Sequence, residues 1–193
     1  MELLQKAIKE KGKVLPGNVL KVGAFLNNQI DVKLLAEMGK EIRSHFKDCE
    51  VTKILTVEAS GIGLACITAQ FFDCNVVFAK KTKTANVDGG LYSAECFSYT
   101  HKKNNVLIVP EEFLTKDDKV LIIDDFLAHG EAVNALMKIV DQAGAKLTGV
   151  AIAIEKGVQT AGDEFRAKGI NLCSLAIVDE MDAKTKTIVF RAQ

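Results

Sequence analysis

The chain has 193 residues, zero formal net charge and 48% hydrophobic residues. That length fits one domain with a full core, and the charge balance excludes a strongly basic nucleic-acid-binding face. No apolar run reaches the roughly 18 residues that a membrane span needs, and Met1–Lys6 lacks the basic-then-apolar order of a secretory leader, so the chain is expected to be cytoplasmic.

The first 30 residues follow no clear alternation and are expected to form a small cap, or hood. Residues 31–47 read as a helix: Asp31 stands at the N-cap, and Leu34, Leu35, Met38, Ile42 and Phe46 share a face. Lys53 to Val57 is a strand, 61–72 a helix and Asn75 to Ala79 a second strand. From Lys80 to Leu91 the chain turns basic and then glycine-rich at Gly89-Gly90, the pattern of a mobile loop. Residues 92–99 and 104–109 suggest an antiparallel pair. Strand 119–123 and helix 131–143 follow, the helix closed by Gly144. Residues 147–154 are strand, 160–168 helix ending at Gly169, 170–178 strand, and 186–191 a last strand. Strands alternating with helices predict an α/β fold, a mainly parallel sheet flanked by helices, over one domain spanning residues 1–193. The five cysteines contain no Cys-x-x-Cys pair and lie mostly in apolar stretches. They are read as reduced and mostly buried.

The most informative stretch is Val120 to Ala132. Four apolar residues read as a buried strand, Asp124-Asp125 stands where that strand should end, and a short loop with Gly130 precedes a helix. In an open α/β sheet, ligands bind beyond the carboxyl ends of the strands. Two acids there can accept from sugar hydroxyls, and the N–H groups of Ala128, His129, Gly130, Glu131 and Ala132 can hold a phosphate at the helix start. The lysine followed by Ser or Thr of a P-loop is absent, as are the three spaced glycines of a dinucleotide fold. A second anion site is expected where Ser60 and Gly61 follow the strand ending at Val57, and Lys80 and Lys81 bring positive charge to the end of the next strand.

Apolar residues, two acids and a small-residue loop before a helix resemble the phosphoribosyl diphosphate motif of the type I phosphoribosyltransferases. The resemblance implies that Asp124 and Asp125 hold the ribose and carry catalysis, and that residues 128–132 bind the 5′-phosphate. Ser60 and Lys81 would then serve the diphosphate. His129 departs from the Thr, Ser or Asn common at its position. The segments Leu20–Asp31 and Ile152–Gly157 are similar to the xanthine-using bacterial branch of that family, over nearly the whole chain. On that resemblance Leu20 and Asn27 contact xanthine from the hood, and Lys156 donates to its oxo groups. Phe126 is read either as a stacking partner for the base or as core. The implied reaction joins xanthine and 5-phosphoribosyl 1-diphosphate to give xanthosine 5′-monophosphate and diphosphate. Mg²⁺ would be held mainly by substrate oxygens, with no dedicated protein metal site, and the chain would form a homodimer. The alternatives are another purine phosphoribosyltransferase, using adenine or hypoxanthine and guanine, or a phosphoribosyl-diphosphate-sensing regulator. No nucleic-acid or membrane partner is expected.

Overall fold

A computed structural model describes residues 1–81, 89–98 and 103–192. Ten strands and five α-helices follow in the order α1 (Glu2–Lys11), β1 (Lys13–Leu15), β2 (Val19–Lys21), α2 (Val32–His45), β3 (Lys53–Val57), α3 (Ser60–Ala69), β4 (Asn75–Ala79), β5 (Leu91–Ser98), β6 (Lys103–Pro110), β7 (Lys119–Leu127), α4 (Glu131–Gln142), β8 (Lys146–Lys156), α5 (Ala161–Ala167), β9 (Leu172–Asp182) and β10 (Thr187–Phe190) among the described residues.

Six strands form the main sheet in the order β10-β9-β8-β7-β3-β4. All its pairings are parallel except β10 with β9. From β3 the chain runs outward to β4, then returns to place β7 on the other side of β3. The gap between the carboxyl ends of β3 and β7 is therefore the switch point, where crossovers leave in opposite directions and a crevice opens.

The apolar strand residues alternate between two cores. Ile54, Leu121 and Ile123 pack with α1, α2 and α3, whereas Leu55, Val120 and Ile122 pack with α4 and Phe165 of α5. Both faces are covered, which is why the strands read as near-continuous apolar runs. The Asp31 carboxylate accepts from the Leu34 N–H at 3.2 Å and starts α2 as expected. Gly144, at φ +65°, ends the α4 segment.

The N-terminal segment is built as α1, the β1–β2 hairpin and a π-helical turn over Gly23–Asn27, and it lies against the main body through Leu4, Ile8, Leu20, Phe25 and Leu26. β5 and β6 form the expected antiparallel pair, which joins the main body where Lys80 bridges Ile108. Residues 82–88 of the expected 80–91 loop lie outside the described residues.

Two expectations need correction. The strand beginning at Lys119 does not stop at Ile123; it runs to Leu127. β8 supplies partners along that length, pairing Asp124 with Ile152, Phe126 with Ile154 and Leu127 with Glu155, so the acids sit inside the ladder. The cysteines are free but not mostly buried: Cys173 is buried, Cys49, Cys74 and Cys96 are half-buried, and Cys66 is exposed. Burial pushes the Cys173 thiol up to about 12, so it stays protonated. No helix among the described residues is long and apolar enough to cross a membrane.

Candidate active site

Asp124 and Asp125, near the carboxyl end of β7, are 5% and 8% exposed. Asp124 Oδ1 accepts from the Asp125 N–H at 2.9 Å, and Asp125 Oδ1 accepts from the Phe126 N–H at 3.0 Å. Asn27 of the hood donates through Nδ2 to Asp125 Oδ2 at 3.3 Å. The first turn of α3 presses in from the β3 side. A Cβ on Gly61 would collide with Thr56 Oγ1 and come within 3.2 Å of Asp124 Oδ1, so glycine is required for this close approach. Thr56 Oγ1 is itself buried without a hydrogen-bond partner among the described residues.

Burial, and then the neighbouring Asp125 carboxylate, hold the Asp124 carboxyl well above the usual carboxylate range. Asp124 thus binds its proton more tightly in the folded chain than in the unfolded one, where its value is near 3.8. The folded state then loses stability as pH rises from that value through the raised folded one. Asp124→Asn removes this titration and keeps the acceptor oxygen. Its melting temperature is expected to exceed that of the parent chain near neutral pH, with the gap narrowing toward about pH 4. Thermal melts across that range check it, and a variant that melts lower at every pH contradicts it.

Beyond the acids, Gly130 adopts φ +79° and caps α4, and its carbonyl accepts the first helical bond from the Asn134 N–H at 2.8 Å. Gly130 is buried, Ala128, Glu131 and Ala132 are half-buried, and His129 is exposed. The loop leads directly into a helix N-terminus, whose N–H groups and dipole suit a phosphate. His129 Nε2 lies 3.3 Å from Gln159 Nε2.

The turn expected to serve as a second anion site falls at the end of β3, the neighbouring strand. Ser60 is the first residue of α3, and the Glu58–Ala59 peptide before it is cis. The Lys81 N–H donates to Glu58 Oε1 at 2.7 Å, which ties the ends of β3 and β4 together, while the Lys81 side chain stays exposed.

Lys156 ends β8, half-buried, and donates to the Asn18 carbonyl at 3.1 Å. Burial draws its ammonium below the ordinary lysine value. The β1–β2 hairpin that it meets carries Leu20, which is buried. The hood therefore reaches the site twice, through Asn18 to Lys156 and through Asn27 to Asp125.

Sequence reasoning gave no role to Glu155, which is 1% exposed and sits one residue before Lys156. Its carboxylate accepts from Arg166 at 2.9 Å and 2.6 Å, in a bidentate pair, and from the Ser174 hydroxyl. A buried carboxylate needs such partners. Here they anchor the end of β8, so that Lys156, alternating to the other face, is held at a fixed place. The signal was a lone acid within the apolar run of β8, but the sequence did not reveal Arg166 as its partner.

A buried carboxylate pair, the helix starts that follow two adjacent strands, and a lysine under the N-terminal hood thus stand at one end of the sheet. The phosphoribosyl transferase domain model matches residues 21–185, and the chain belongs to that phosphoribosyltransferase family. Among curated relatives, the xanthine phosphoribosyltransferase of Lachnoclostridium phytofermentans is 51% identical over 99% of this chain and 98% of its own. That of Bifidobacterium animalis subsp. lactis is 51% identical over 99% and 100%, and that of Clostridium novyi 50% over 99% and 100%. Within the family the chain stands with these xanthine phosphoribosyltransferases. The fold is shared with the adenine phosphoribosyltransferases of Giardia lamblia (TM-score 0.73, 21% identity, 90% of this chain and 96% of that one) and Rhodothermus marinus (0.70, 18%, 92% and 100%).

Proposed function

We propose that this protein transfers the phosphoribosyl group of 5-phosphoribosyl 1-diphosphate to xanthine, giving xanthosine 5′-monophosphate and diphosphate. The observation that carries the reading is the convergence of the Asp124–Asp125 pair and Lys156 under one hood, through Asn27 and Asn18. A purine bound between them would have the ribose at the acids and its oxo groups at the lysine. Xanthine offers two carbonyl acceptors and is partly anionic near neutral pH, which suits a cationic donor. The exocyclic amine of adenine does not. Leu20 and Asn27 form the hood side of the base site.

In this reading Asp124 and Asp125 accept from the ribose hydroxyls, and residues 128–132 hold the 5′-phosphate. Ser60 with the turn before it, and Lys81, face the diphosphate. Bond breaking at the sugar carbon builds oxocarbenium character and places new charge on the departing diphosphate. Fixed N–H groups and the Lys81 ammonium would stabilise that charge, and the two substrates would be held in line by opposite ends of the site. The hood, by covering Asp125 and Lys156, would keep water from the activated sugar.

Mg²⁺ fits this donor set in one way. The described residues contain no cluster of three or more His, Cys, Asp or Glu side chains able to hold a metal. Substrate oxygens and water would make up most of the ion's shell, with the Asp125 carboxylate beside the ribose. When bound it neutralises charge on the diphosphate. A cytoplasmic homodimer completes the proposal: the free cysteines support a reducing compartment, and the family resemblance supports the dimer.

The test is product identity. With xanthine, 5-phosphoribosyl 1-diphosphate and Mg²⁺, xanthosine 5′-monophosphate and diphosphate are expected in equal amounts. Diphosphate formed without the nucleotide contradicts transfer to the base.

A further inference from the structure

Charged pairs hold the backbone on both sides of Lys156. Before it, the Glu155 carboxylate is forked to Arg166, and Gly162 of α5 lies so close that a Cβ there would collide with Glu155 Oε1. After it, the Gly157 N–H donates to the Val178 carbonyl of β9 at 2.8 Å. A Cβ on Gly157 would collide with Asp179 Oδ1 and stand 3.0 Å from Arg191 Nη2, so the turn leans directly on a second ion pair. In that pair Asp179 Oδ1 accepts from Arg191 Nε at 3.0 Å and from Nη2 at 2.8 Å, and Oδ2 accepts from Nε at 3.2 Å. The two pairs are joined: Asp163 Oδ1 accepts from Arg191 Nη1 at 2.7 Å and from Arg166 Nη1 at 3.2 Å. Hydrogen bonding from Arg191 holds the Asp163 carboxyl below its ordinary value, so this bridge is charged at neutral pH.

The series Glu155, Arg166, Asp163, Arg191 and Asp179 thus closes around Glu155-Lys156-Gly157. Its exposure says what it does. The Asp163 side chain is 52% exposed and that of Arg191 32%, and ion pairs this open to water add little to stability. A forked guanidinium has direction as well as charge, however, and so fixes geometry. Geometry is what a lysine needs here. Its stem is flexible and its ammonium a point charge, so the place of the charge follows from the backbone beneath it.

We propose that Arg191 is a positioning residue for the base: by joining Asp179 to Asp163 it holds the turn at Gly157 against the anchor at Glu155, so that Lys156 meets the purine at a fixed place. The residue stands beyond β10, 35 positions along the chain from the lysine that it steadies. The inference rests on the reading of Lys156 as the donor to xanthine.

Kinetics of Arg191→Met in two backgrounds test it, with the acetylation rate of Lys156 as a second readout. Methionine keeps most of the stem and removes the fork. In the parent chain the substitution is expected to raise KM for xanthine about fivefold, with kcat and KM for 5-phosphoribosyl 1-diphosphate each within about twofold. In a Lys156→Met background it is expected to change KM for xanthine by less than about twofold, because the residue it acts through is gone. Limited acetylation, read by mass spectrometry of peptides, needs no turnover. Lys156 is expected to react about threefold faster in Arg191→Met than in the parent chain, while Lys6 of α1 and Lys40 of α2, both exposed, react alike in the two. An unchanged KM for xanthine, an equal rise in KM for both substrates, equal effects in both backgrounds, or an unchanged Lys156 rate would each overturn the proposal. Should Arg191→Met not fold, Asp163→Ala, which parts the two arginines and leaves each its own carboxylate, is held to the same outcomes with a rise of about threefold in KM for xanthine. A parent chain that turns over no purine would count against the proposed function instead, and the acetylation rates would still decide the positioning.

Discussion

Replacing both Asp124 and Asp125 by Asn is expected to lower kcat/KM by on the order of 10²-fold or more. The amides keep the shape of the carboxylates, so lost packing is not the cause. What is lost is charge and acceptor capacity: each carboxylate is an acceptor at both oxygens, whereas an amide offers one acceptor and two donors. Ribose hydroxyls that donate to the pair would face N–H groups instead. The two positions should not contribute equally. Asp124 is held toward its neutral form by burial and by Asp125, and a neutral acid resembles an amide in charge. Asp125 accepts from both Phe126 and Asn27, and therefore links the ribose position to the hood. Asp125→Asn is accordingly expected to carry the larger share of the loss. Steady-state kinetics of the two single variants and the double variant measure this, and a double variant close to the parent chain contradicts the ribose reading.

Lys156→Met is expected to raise KM for xanthine between about 10- and 100-fold, the range for loss of one charge-assisted hydrogen bond, with KM for 5-phosphoribosyl 1-diphosphate within about threefold. Methionine keeps most of the aliphatic stem, so the half-buried packing survives while the ammonium goes. Its donor is already directed at the hood, toward the Asn18 carbonyl. Exchange of that carbonyl for a xanthine oxo group needs only a local shift. Glu155, one residue earlier, stays paired with Arg166 in the variant, so the strand end keeps its anchor. Equal weakening toward both substrates would contradict a lysine that touches only the base.

Much of this molecule is legible along the chain where local pattern decides. The strands at Lys53–Val57 and Asn75–Ala79 match the expected bounds to the residue, because each is a short apolar run bounded by polar residues and paired in parallel, β3 buried and β4 at the sheet edge. Asp31 announced the start of α2 and Gly144 the end of α4, since caps act within one turn. Pattern failed where a distant segment decides. β7 runs four residues beyond Ile123 because β8 continues beside it, and no property of Asp124 or Asp125 reveals that partner. The π-helical turn at Gly23–Asn27 has no period that sequence reading recognises, yet it is what brings Asn27 to Asp125 across 98 positions of chain. The acids and the Gly130 loop stood out by residue type and placement, and Lys156 through the family resemblance. Glu155 and Thr56 did not, because their roles lie in contacts with Arg166 and Gly61 that only folding creates.

The central claim is that Lys156 and the hood select an oxo-purine for transfer at the Asp124–Asp125 site. The most direct measurement is diphosphate release with 5-phosphoribosyl 1-diphosphate, Mg²⁺ and, in turn, xanthine, guanine, hypoxanthine and adenine. A clear preference for xanthine in kcat/KM, with adenine neither used nor competing, is the expected result. Preference for adenine would contradict the role given to Lys156, and no release with any of the four bases would contradict the proposed function itself.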